Sequence, residues 1–479
     1  MIEFFGSLGS LDLICINVCL VIAAKSNHMS HLKQLSELGL FDARVPRYTS
    51  YPTAPQFSSD LSEGTFARWV QQIQPGSAIS LYIHVPFCRR LCWFCACRTQ
   101  GTSTDAPVLA YAESLKAELE AFRRILPEGV RLSRLHWGGG TPTMLPPESM
   151  RALAAQVFDI APLAEGGEFS VEIDPNEIDE ARLDALAEAG LTRASIGVQD
   201  FDPEIQGIIG RDQSFEITKS TADAIRARGI KSLNADILYG LPNQTQRRMA
   251  DSVQKLMSLN PDRIALYGYA HVPWMARRQQ MIPSDTLPRP EERLDLFETA
   301  RRLLLWDGYD EIGIDHFARP HDGLSKAASE GKLRRNFQGY TDDTSPVLVG
   351  LGASSISRFP QGFAQNAPAT AAWKKSVEAG KFATIRGHAF THDDIWRGRA
   401  IEALMCDFRL SRSELVNSFG ADATTLDKLM DQTAQRFGQF VKRSPDGLEI
   451  TIEGRPLTRM IAALFDEYAM DKAGHSSAV

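Results

Sequence analysis

The stretch HVPFCRRLCWFCAC (residues 84–97) places four cysteines within ten residues of a chain that has 479 residues and seven cysteines. Cys88, Cys92 and Cys95 follow the spacing C-x3-C-x2-C, directly after a strand-like run that ends at Pro86. Three thiolates on one tight loop can bind three irons of a cubane iron–sulfur cluster, which leaves the fourth iron without a protein ligand. The spacing therefore predicts a cluster with one open iron, where a cofactor or substrate can bind.

A zinc site is an alternative for the same loop. Cys97 could act as a fourth ligand and complete a tetrahedral shell of thiolates. Zinc ligands usually come as two separated pairs, whereas C-x3-C-x2-C-x-C is one crowded run. The spacing favours the cluster, and buried free thiols are the third interpretation.

The composition limits the classes of function. Hydrophobic residues make up 43% and charged residues 23% of the chain, as in ordinary globular proteins, and the length predicts two domains. A formal net charge of -7 argues against a nucleic-acid-binding surface. Cys15, Cys19 and Cys406 are scattered, so the chain lacks the paired cysteines of a secreted disulfide framework, and we expect a reducing compartment.

The first 28 residues contain the most apolar run of the chain. Asp12 and Asn17 interrupt this run, no basic residue precedes it, and it is short for a membrane span. We expect residues 1–28 to be a non-native or unstructured extension, with Met29 as the alternative start, and we expect no membrane span.

Short β-branched or aromatic runs alternate with helical patterns from about residue 81 onward. This alternation predicts parallel strands joined by right-handed crossovers. Six or seven such units fit either an incomplete TIM-like barrel or a doubly wound sheet, and both place chemistry at the carboxyl ends of the strands. The expected strands cover residues 81–87, 134–137, 168–175, 192–199, 233–242, 263–270 and 309–317.

Several conspicuous residues fall at these strand ends. The motif GGGTPT (residues 138–143) lacks the Lys-Ser/Thr of a P-loop and the G-x-G-x-x-G spacing, so we expect its glycines to allow close approach of a ligand to the backbone. Glu172 lies late in the third strand and Gln199 ends the fourth. Asp236 is a charge near the end of a buried strand, and it needs a ligand or a cation such as Arg211.

The pattern changes after about residue 385. Helical patterns cover 393–405, 411–419 and 424–438, and they are followed by a strand over 448–453 and a helix over 457–470. This order predicts a separate C-terminal helical domain that resembles a winged helix. Its charges are mixed, which favours a lid or packing role over nucleic-acid binding.

The order of C-x3-C-x2-C and GGGTPT resembles the radical S-adenosylmethionine (SAM) superfamily. Further motifs resemble one family within it, the oxygen-independent coproporphyrinogen III oxidases, also called coproporphyrinogen III dehydrogenases, from about residue 30 to the C-terminus. These motifs are PRYTSYPTA (46–54), YIHVPFCRRLCWFCAC (82–97), HWGGGTPT (136–143), VEIDP (171–175), GVQDF (197–201), ADILYGLP (235–242), YAHVP (269–273), DHFARP (315–320) and RNFQGYT (335–341).

The resemblance implies an α/β fold, an incomplete TIM-like (β/α)6 barrel with a C-terminal helical, winged-helix-like domain. Residues 29–80 would contribute to the substrate site, residues 81–384 would form the barrel, and residues 385–479 would form the helical domain. The family pattern implies a monomeric cytoplasmic enzyme with one 4Fe-4S cluster and two bound SAM molecules. It also implies an electron donor of flavodoxin or ferredoxin type and no nucleic-acid partner.

The resemblance further assigns residues to the cofactors, and no catalytic side chain, because the radical comes from SAM. The cluster ligands would be Cys88, Cys92 and Cys95, while Cys97 belongs to the family pattern without being a ligand. The contacts of the first SAM, on the open iron, would be Tyr82, Gly139 and Glu172, although Glu172 could instead belong to a structural ion pair. The positions that match the second SAM are Phe94, Gly140, Thr141, Gln199, Arg211, Asp236, Ala270 and Ile356.

The implied reaction converts two propionates of coproporphyrinogen III to vinyl groups and gives protoporphyrinogen IX. Four carboxylates on this substrate require cations, for which the candidates are Arg47, Arg277, Arg278, Arg319 and Arg335. The alternative is a haem-binding chaperone of the same radical SAM family. Such relatives typically carry Phe where this chain has Cys97 and lack the PRYTSYPTA segment, so both features favour the oxidase.

Overall fold

A computed structural model describes residues 29–468 and 477–479. The prediction that residues 1–28 form an extension concerns residues that lie outside the described ones. The centre of the fold is one sheet of twelve strands. Six consecutive strands in its middle pair in parallel in the order of the chain: β1 (Ala78–Val85), β2 (Arg131–Gly139), β3 (Leu163–Ile173), β4 (Arg193–Gln199), β5 (Ser232–Tyr239) and β6 (Arg263–Gly268).

At least one helix follows each of these six strands. The helices are Ala106–Arg123, Pro147–Ile160, Glu180–Glu188, Pro203–Ile209, Phe215–Ala227, Gln246–Ser258 and Pro290–Trp306. Four of them begin after a residue whose side chain accepts a hydrogen bond from the first turn, namely Asp179, Asp202, Ser214 and Thr245. The expected incomplete (β/α)6 barrel is therefore confirmed.

The expected seventh strand over residues 309–317 is wrong as a single strand. It is a tight antiparallel hairpin of β7 (Asp310–Ile312) and β8 (His316–Ala318), and β8 also pairs antiparallel with β6. Gly313 has a φ of +56°, a conformation that glycine adopts readily, and it reverses the chain within the run.

The sequence did not predict the opposite edge of the sheet. There β9 (Leu348–Leu351) pairs in parallel with β1, and β10 (Ile356–Phe359), β11 (Gly362–Asn366) and β12 (Thr384–Ala389) continue the sheet in antiparallel fashion. Because β12 belongs to this sheet, the barrel portion extends to Ala389 and passes the boundary expected at residue 384.

The C-terminal part contains the helices His392–Asp407, Arg412–Phe419, Ala423–Phe437 and Thr458–Ala462. The strands Arg409–Ser411, Val441–Ser444 and Gly447–Ile450 form a small antiparallel sheet, which completes a winged-helix-like arrangement. The helix expected over 457–470 is shorter, because the 3-10 turns Arg455–Leu457 and Ala463–Phe465 flank it. Residues 469 and 470 lie outside the described residues.

Two large hydrophobic cores hold these parts together. The first lies between the sheet and its helices and includes Trp137, Phe169 and Phe317. The second contains side chains of both the N-terminal segment and the C-terminal helices, for example Leu40 and Leu404. Within the described residues no helix combines the length and the apolarity needed to cross a bilayer. The remaining elements include the helices Glu63–Gln71, Gly323–Ser329 and Thr370–Glu378 and the paired strands Arg334–Asn336 and Gly339–Thr341.

A buried carboxylate joins the first barrel helix to the unpredicted edge of the sheet. Glu118 accepts hydrogen bonds from Gly352 N at 2.7 Å, Asn366 Nδ2 at 3.1 Å and Trp373 Nε1 at 3.1 Å. Burial raises the pKa of Glu118 to about 7. These three donors have this carboxylate as a common acceptor. Asn366 Nδ2 also donates to Gly352 O at 3.0 Å, so removal of the carboxylate deprives chiefly Gly352 N and Trp373 Nε1 of their partner.

We predict that Glu118→Ala lowers the free energy of unfolding by at least about 2 kcal/mol, because unsatisfied buried donors cost about 1–3 kcal/mol each. Urea denaturation followed by circular dichroism measures this change. The matched control is Glu120→Ala on the same helix, since Glu120 is exposed and pairs only with Arg123 among the described residues. Equal stability of the two variants would contradict the structural role of Glu118.

Candidate functional site

The cysteine loop is held at its base and at its tip. The short strand Phe87–Cys88 pairs in parallel with Gln100–Gly101, which closes the base. At the tip, Trp93 N donates to Ile209 O at 2.9 Å, and the Trp93 ring covers Gly210 so closely that no Cβ would fit there. The loop therefore has a defined position at the carboxyl end of β1.

The three expected ligand cysteines lie together as free, half-buried thiols. Burial raises the pKa of Cys88 to about 11, and the nearby Cys92 and Cys95 add to this rise. The pKa of Cys95 is lowered, mainly by a hydrogen bond from the Cys97 thiol. Arg211 Nη1 donates to Cys92 Sγ at 3.4 Å, so a guanidinium faces the cysteines.

The donor set of the loop suits the 4Fe-4S cluster that the spacing predicts. Three thiols lie on one loop, a guanidinium faces them, and a cubane would take each thiolate at a different iron. In the described part of the chain, no group of three or more His, Cys, Asp or Glu side chains is placed to hold a single metal ion.

The glycine-rich turn after β2 packs directly on the base of the cysteine loop. Gly140 N donates to Val85 O at 2.9 Å, Thr141 N donates to Phe87 O at 2.7 Å, and the Thr141 side chain hydrogen-bonds Cys88. A Cβ at Gly139 would overlap the His84 ring, and one at Gly140 would overlap Phe87 O. The glycines are thus required by the packing of the protein itself, in addition to any ligand.

Polar side chains from β1 to β3 form a connected group inside the barrel. Tyr82 Oη lies 2.9 Å from His84 Nδ1, and the Tyr82 ring stacks on His136. His136 Nε2 lies 3.4 Å from Glu172 Oε1, while Glu172 Oε2 accepts from Gly139 N at 3.0 Å. The three residues expected at the first SAM, Tyr82, Gly139 and Glu172, therefore lie within one network.

Sequence reasoning missed the two histidines of this network. Burial lowers the pKa of His84, which keeps its ring neutral at pH 7. His84 begins HVPF and His136 begins HWGGG, so their positions directly before the cysteine loop and the glycine turn were the available signal.

Asp236 needs a ligand or a cation such as Arg211, but the two side chains do not pair directly. The ion-pair partner of Arg211 is Asp174, at 3.4 Å, and Arg211 Nη2 donates to Gly197 O at 2.8 Å. Asp236 instead accepts from Asn234 Nδ2 at 2.8 Å, and burial raises its pKa to about 7. Asp174 and Asn234 are thus further residues of this site.

Arg211 also has a polar atom available for a ligand. Its Nε is buried and has no hydrogen-bond partner among the described residues. Gln199, nearby at the end of β4, has a φ of +69°, a strained value for a residue other than glycine. An unsatisfied donor beside a strained strand end indicates a place for a bound molecule.

One buried amide links the cysteine loop to the end of β6. Gln279 Nε2 donates to Phe94 O at 2.7 Å and to Ala270 O at 3.0 Å, and Gln279 Oε1 accepts from Val272 N at 2.6 Å. Phe94 and Ala270 are both expected at the second SAM. Ile356, the remaining position of that set, begins β10 on the other side of β1.

A cavity of about 890 Å³ opens beside this link. Tyr239, Gly268 and Ala270 from the carboxyl ends of β5 and β6 line one side, and residues from the N-terminal and C-terminal parts line the other. Its size and position are those of a small-molecule site.

The five arginines suggested as partners of the substrate carboxylates lie in different places. Arg47 and Arg335 line the cavity. Arg278 holds the cysteine loop through Cys97 O at 3.0 Å, and Arg277 begins the neighbouring 3-10 helix Arg277–Met281. Arg319 packs on Tyr309 and pairs with Asp307, outside the cavity lining.

A (β/α)6 barrel with a three-cysteine loop after its first strand defines a radical SAM protein. In agreement, the family model described as the radical SAM superfamily matches residues 82–256. The oxygen-independent coproporphyrinogen III oxidase of Paracoccus denitrificans is 66% identical over 451 residues, which cover 94% of this chain and 100% of that protein. The protein of the same name from Escherichia coli is 38% identical over 89% of this chain and 94% of its own length.

A solved structure agrees with these relatives. The structure of coproporphyrinogen III oxidase (HemN) from Escherichia coli, described as a radical SAM enzyme, has a TM-score of 0.83 and 36% identity, and the match covers 89% of this chain and 100% of that chain. The chain belongs to the family of oxygen-independent coproporphyrinogen III oxidases. Membership implies an oxidoreductase that uses a 4Fe-4S cluster and SAM.

We predict that Gln279→Leu loosens the cysteine loop, because three main-chain groups lose their common partner. Hydrogen exchange measured by mass spectrometry should become faster in peptides that cover residues 92–99 and 270–283. Gln280→Leu is the control, since the neighbouring Gln280 is exposed and Gln279 is buried. Unchanged exchange in the Gln279 variant would show that the loop is held by its other contacts.

Proposed function

We propose that this chain catalyses the oxidative decarboxylation of two propionates of coproporphyrinogen III to vinyl groups, which gives protoporphyrinogen IX and two carbon dioxide molecules in haem biosynthesis. The observation that carries the proposal is the arginine-lined cavity, whose lining residue Ala270 is joined through Gln279 to Phe94 of the cysteine loop. A tetra-carboxylate substrate requires such a cationic cavity. The relatives named for this reaction match almost the whole chain.

We propose that Cys88, Cys92 and Cys95 hold the cluster and that Cys97 supports Cys95 without being a ligand. The hydrogen bonds from Cys97 to Cys95 and from Arg211 to Cys92 support this division, because both stabilise thiolates. We further assign the first SAM to the contacts Tyr82, Gly139 and Glu172. We assign a second SAM to Phe94, Gly140, Thr141, Gln199, Arg211, Asp236, Ala270 and Ile356, and the unpartnered Arg211 Nε supports this assignment.

The chemistry of the reaction belongs to the cofactors. When bound, a reduced 4Fe-4S cluster held by Cys88, Cys92 and Cys95 together with SAM would supply the removal of a hydrogen atom from the propionate carbon next to the pyrrole ring, and loss of carbon dioxide and of one electron to an acceptor would leave the vinyl group. This carbon has negligible acidity, so no side chain is required as a base. The protein orients the substrate, and Trp93 and Phe94 exclude water from the cysteine loop.

Other features of the proposal follow from membership of the family and from the arrangement of the chain. We propose a monomer in the cytoplasm that accepts electrons from a flavodoxin-type or ferredoxin-type donor. We divide the described chain into an N-terminal segment up to residue 77 that contributes to the substrate site, a barrel from β1 to β12, and a C-terminal helical domain after Ala389. The residues His31, Arg44 and Arg47 of the N-terminal segment line the cavity, which supports this division.

Anaerobic incubation with SAM, a reductant and coproporphyrinogen III tests the proposed reaction. We expect protoporphyrinogen IX to form and 5′-deoxyadenosine to accumulate. Chromatography of the oxidised porphyrins measures the product. Stoichiometric haem binding without product would favour the haem-chaperone alternative and contradict the proposal.

Single substitutions Cys88→Ala, Cys92→Ala and Cys95→Ala should each abolish turnover and most of the bound iron, because a cubane needs all three thiolates. Cys97→Ala is the matched control on the same loop and should retain the cluster with lower activity. Iron and sulfide analysis after anaerobic reconstitution measures both outcomes. Loss of iron from the Cys97 variant would mean that four thiolates bind the metal.

A further inference from the structure

The segment WMARRQQM (residues 274–281) carries an unusual group of exposed apolar side chains. Trp274, Met275 and Met281 are 55%, 63% and 59% exposed, respectively. Of the eleven large hydrophobic side chains that are exposed in the described residues, these three fall within eight consecutive positions. Single apolar residues on a surface need no explanation, whereas a group of them indicates a site of interaction.

Arginines accompany these apolar side chains. Arg277 lies in the same segment and Arg98 lies in the cysteine loop, and both are exposed. Among the described residues, neither forms an ion pair, and the same holds for the half-buried Arg278. Arg277 and Arg278 do not line the cavity, so a substrate in the cavity does not account for their charge. Aromatic residues, Met and Arg are the residue types that protein–protein interfaces favour.

The segment is joined directly to the cysteine loop. Arg278 Nη2 donates to Cys97 O at 3.0 Å, and Cys97 N in turn donates to Cys95 Sγ at 3.4 Å. Two hydrogen bonds therefore connect the surface segment with a thiol that is proposed to hold the cluster. Gln279 adds a second link, because its Nε2 donates to Phe94 O at 2.7 Å. A molecule bound to the segment thus lies next to the loop that carries the cysteines.

The charges of the chain favour an acidic partner at this face. Residues 84–101 and 270–284 together contain five arginines and no acidic residue. Two of these arginines, Arg89 and Arg90, pair with carboxylates of other segments, which leaves the three named above. The whole chain has a formal net charge of -7, so most of its surface repels an acidic protein. Attraction at this face and repulsion elsewhere orient such a partner towards the cysteine loop.

We propose that residues 274–281, together with Arg98, form the docking surface for a small acidic protein that carries single electrons to the cysteine loop. This inference rests on the proposed function, which requires an external electron donor. The exposed Trp and Met side chains supply the apolar centre of the interface, and the arginines supply its charged rim. In the transfer the carrier is oxidised by one electron and a cluster on the three ligand cysteines is reduced by one electron, and no bond forms or breaks.

The test uses the reconstituted full-length enzyme with the substitutions Arg98→Glu, Arg277→Glu and Met275→Ser. Trp274 is left unchanged because it also lines the cavity, and Arg278 because it holds the cysteine loop. A purified flavodoxin and a purified ferredoxin, both of acidic isoelectric point, serve as reduced carriers. Stopped-flow absorbance follows the oxidation of each carrier by the enzyme.

The two kinds of substitution should differ in their dependence on salt. We expect each charge reversal to lower the second-order rate constant about tenfold with the carrier that reduces the wild-type enzyme, and high salt to diminish this difference. Met275→Ser should lower the rate constant at every salt concentration, because salt does not screen an apolar contact.

Matched controls separate docking from damage to the cysteine loop. Each variant is first checked for wild-type iron content, and photoreduced 5-deazaflavin, a small reductant that needs no docking surface, should reduce all variants at the wild-type rate. Arg131→Glu reverses an exposed arginine at the start of β2, the end of that strand opposite to the cysteine loop. Trp306→Ser removes a side chain that is 92% exposed at the end of the helix Pro290–Trp306. Both control variants should react with the carriers as the wild type does.

Isothermal titration calorimetry with the oxidised carrier measures docking without electron transfer. Its dissociation constant should rise about tenfold in the charge-reversal variants. Unchanged rates and dissociation constants in all three variants, or a wild-type enzyme that neither carrier reduces, would overturn the inference. Variants that change only self-association or binding to anionic vesicles would also overturn it, since the surface would then serve another partner.

The inference and the proposed function fail in different ways. A wild-type enzyme that makes protoporphyrinogen IX with photoreduced 5-deazaflavin has the proposed function, whatever the two carriers do. A wild-type enzyme that makes no product with this reductant would overturn the proposed function, and the rates of carrier oxidation would still decide the docking surface.

Discussion

The contact between the glycine-rich turn and the base of the cysteine loop is the constraint on which the rest of the site depends. Gly140 N and Thr141 N donate to the carbonyl oxygens of Val85 and Phe87, and Gly139 allows the His84 ring to lie against the turn. A parallel sheet brings the carboxyl ends of β1 and β2 together, and these hydrogen bonds then fix where the cysteines can be. Larger side chains in the turn would push the loop away from the Glu172 network.

The cysteine loop and the cavity are connected through one buried side chain. Gln279 binds the cysteine loop and the end of β6 simultaneously, and the cavity begins at that strand end. Chain segments far apart in sequence close the cavity, since Arg47 precedes the barrel and Arg459 follows it. The second hydrophobic core, which joins these two segments, therefore also determines the shape of the cavity.

The sequence predicted the middle of the fold and the cysteine loop, but not the edges of the sheet or the ion pairs. Strands β1 to β6 are long and apolar, and each is followed by a helical pattern. They can therefore be predicted from the sequence. The strands β9 to β12 are short, and nothing in their local pattern indicates that β9 pairs with β1 or that the other three extend the sheet. Arg293 lies inside a helical run, where a guanidinium normally faces solvent, so only the tertiary structure reveals its place in the cavity. The partner of Arg211 could not be predicted from the sequence either, because Asp174 and Asp236 both lie near strand ends.

Mössbauer spectroscopy of the enzyme reconstituted with ⁵⁷Fe tests most directly whether the loop leaves one iron open for SAM. We expect a 4Fe-4S spectrum in which one iron changes its signal when SAM is added and three do not. A spectrum that SAM leaves unchanged, or a protein that binds zinc through four sulfurs and no cluster, would contradict it.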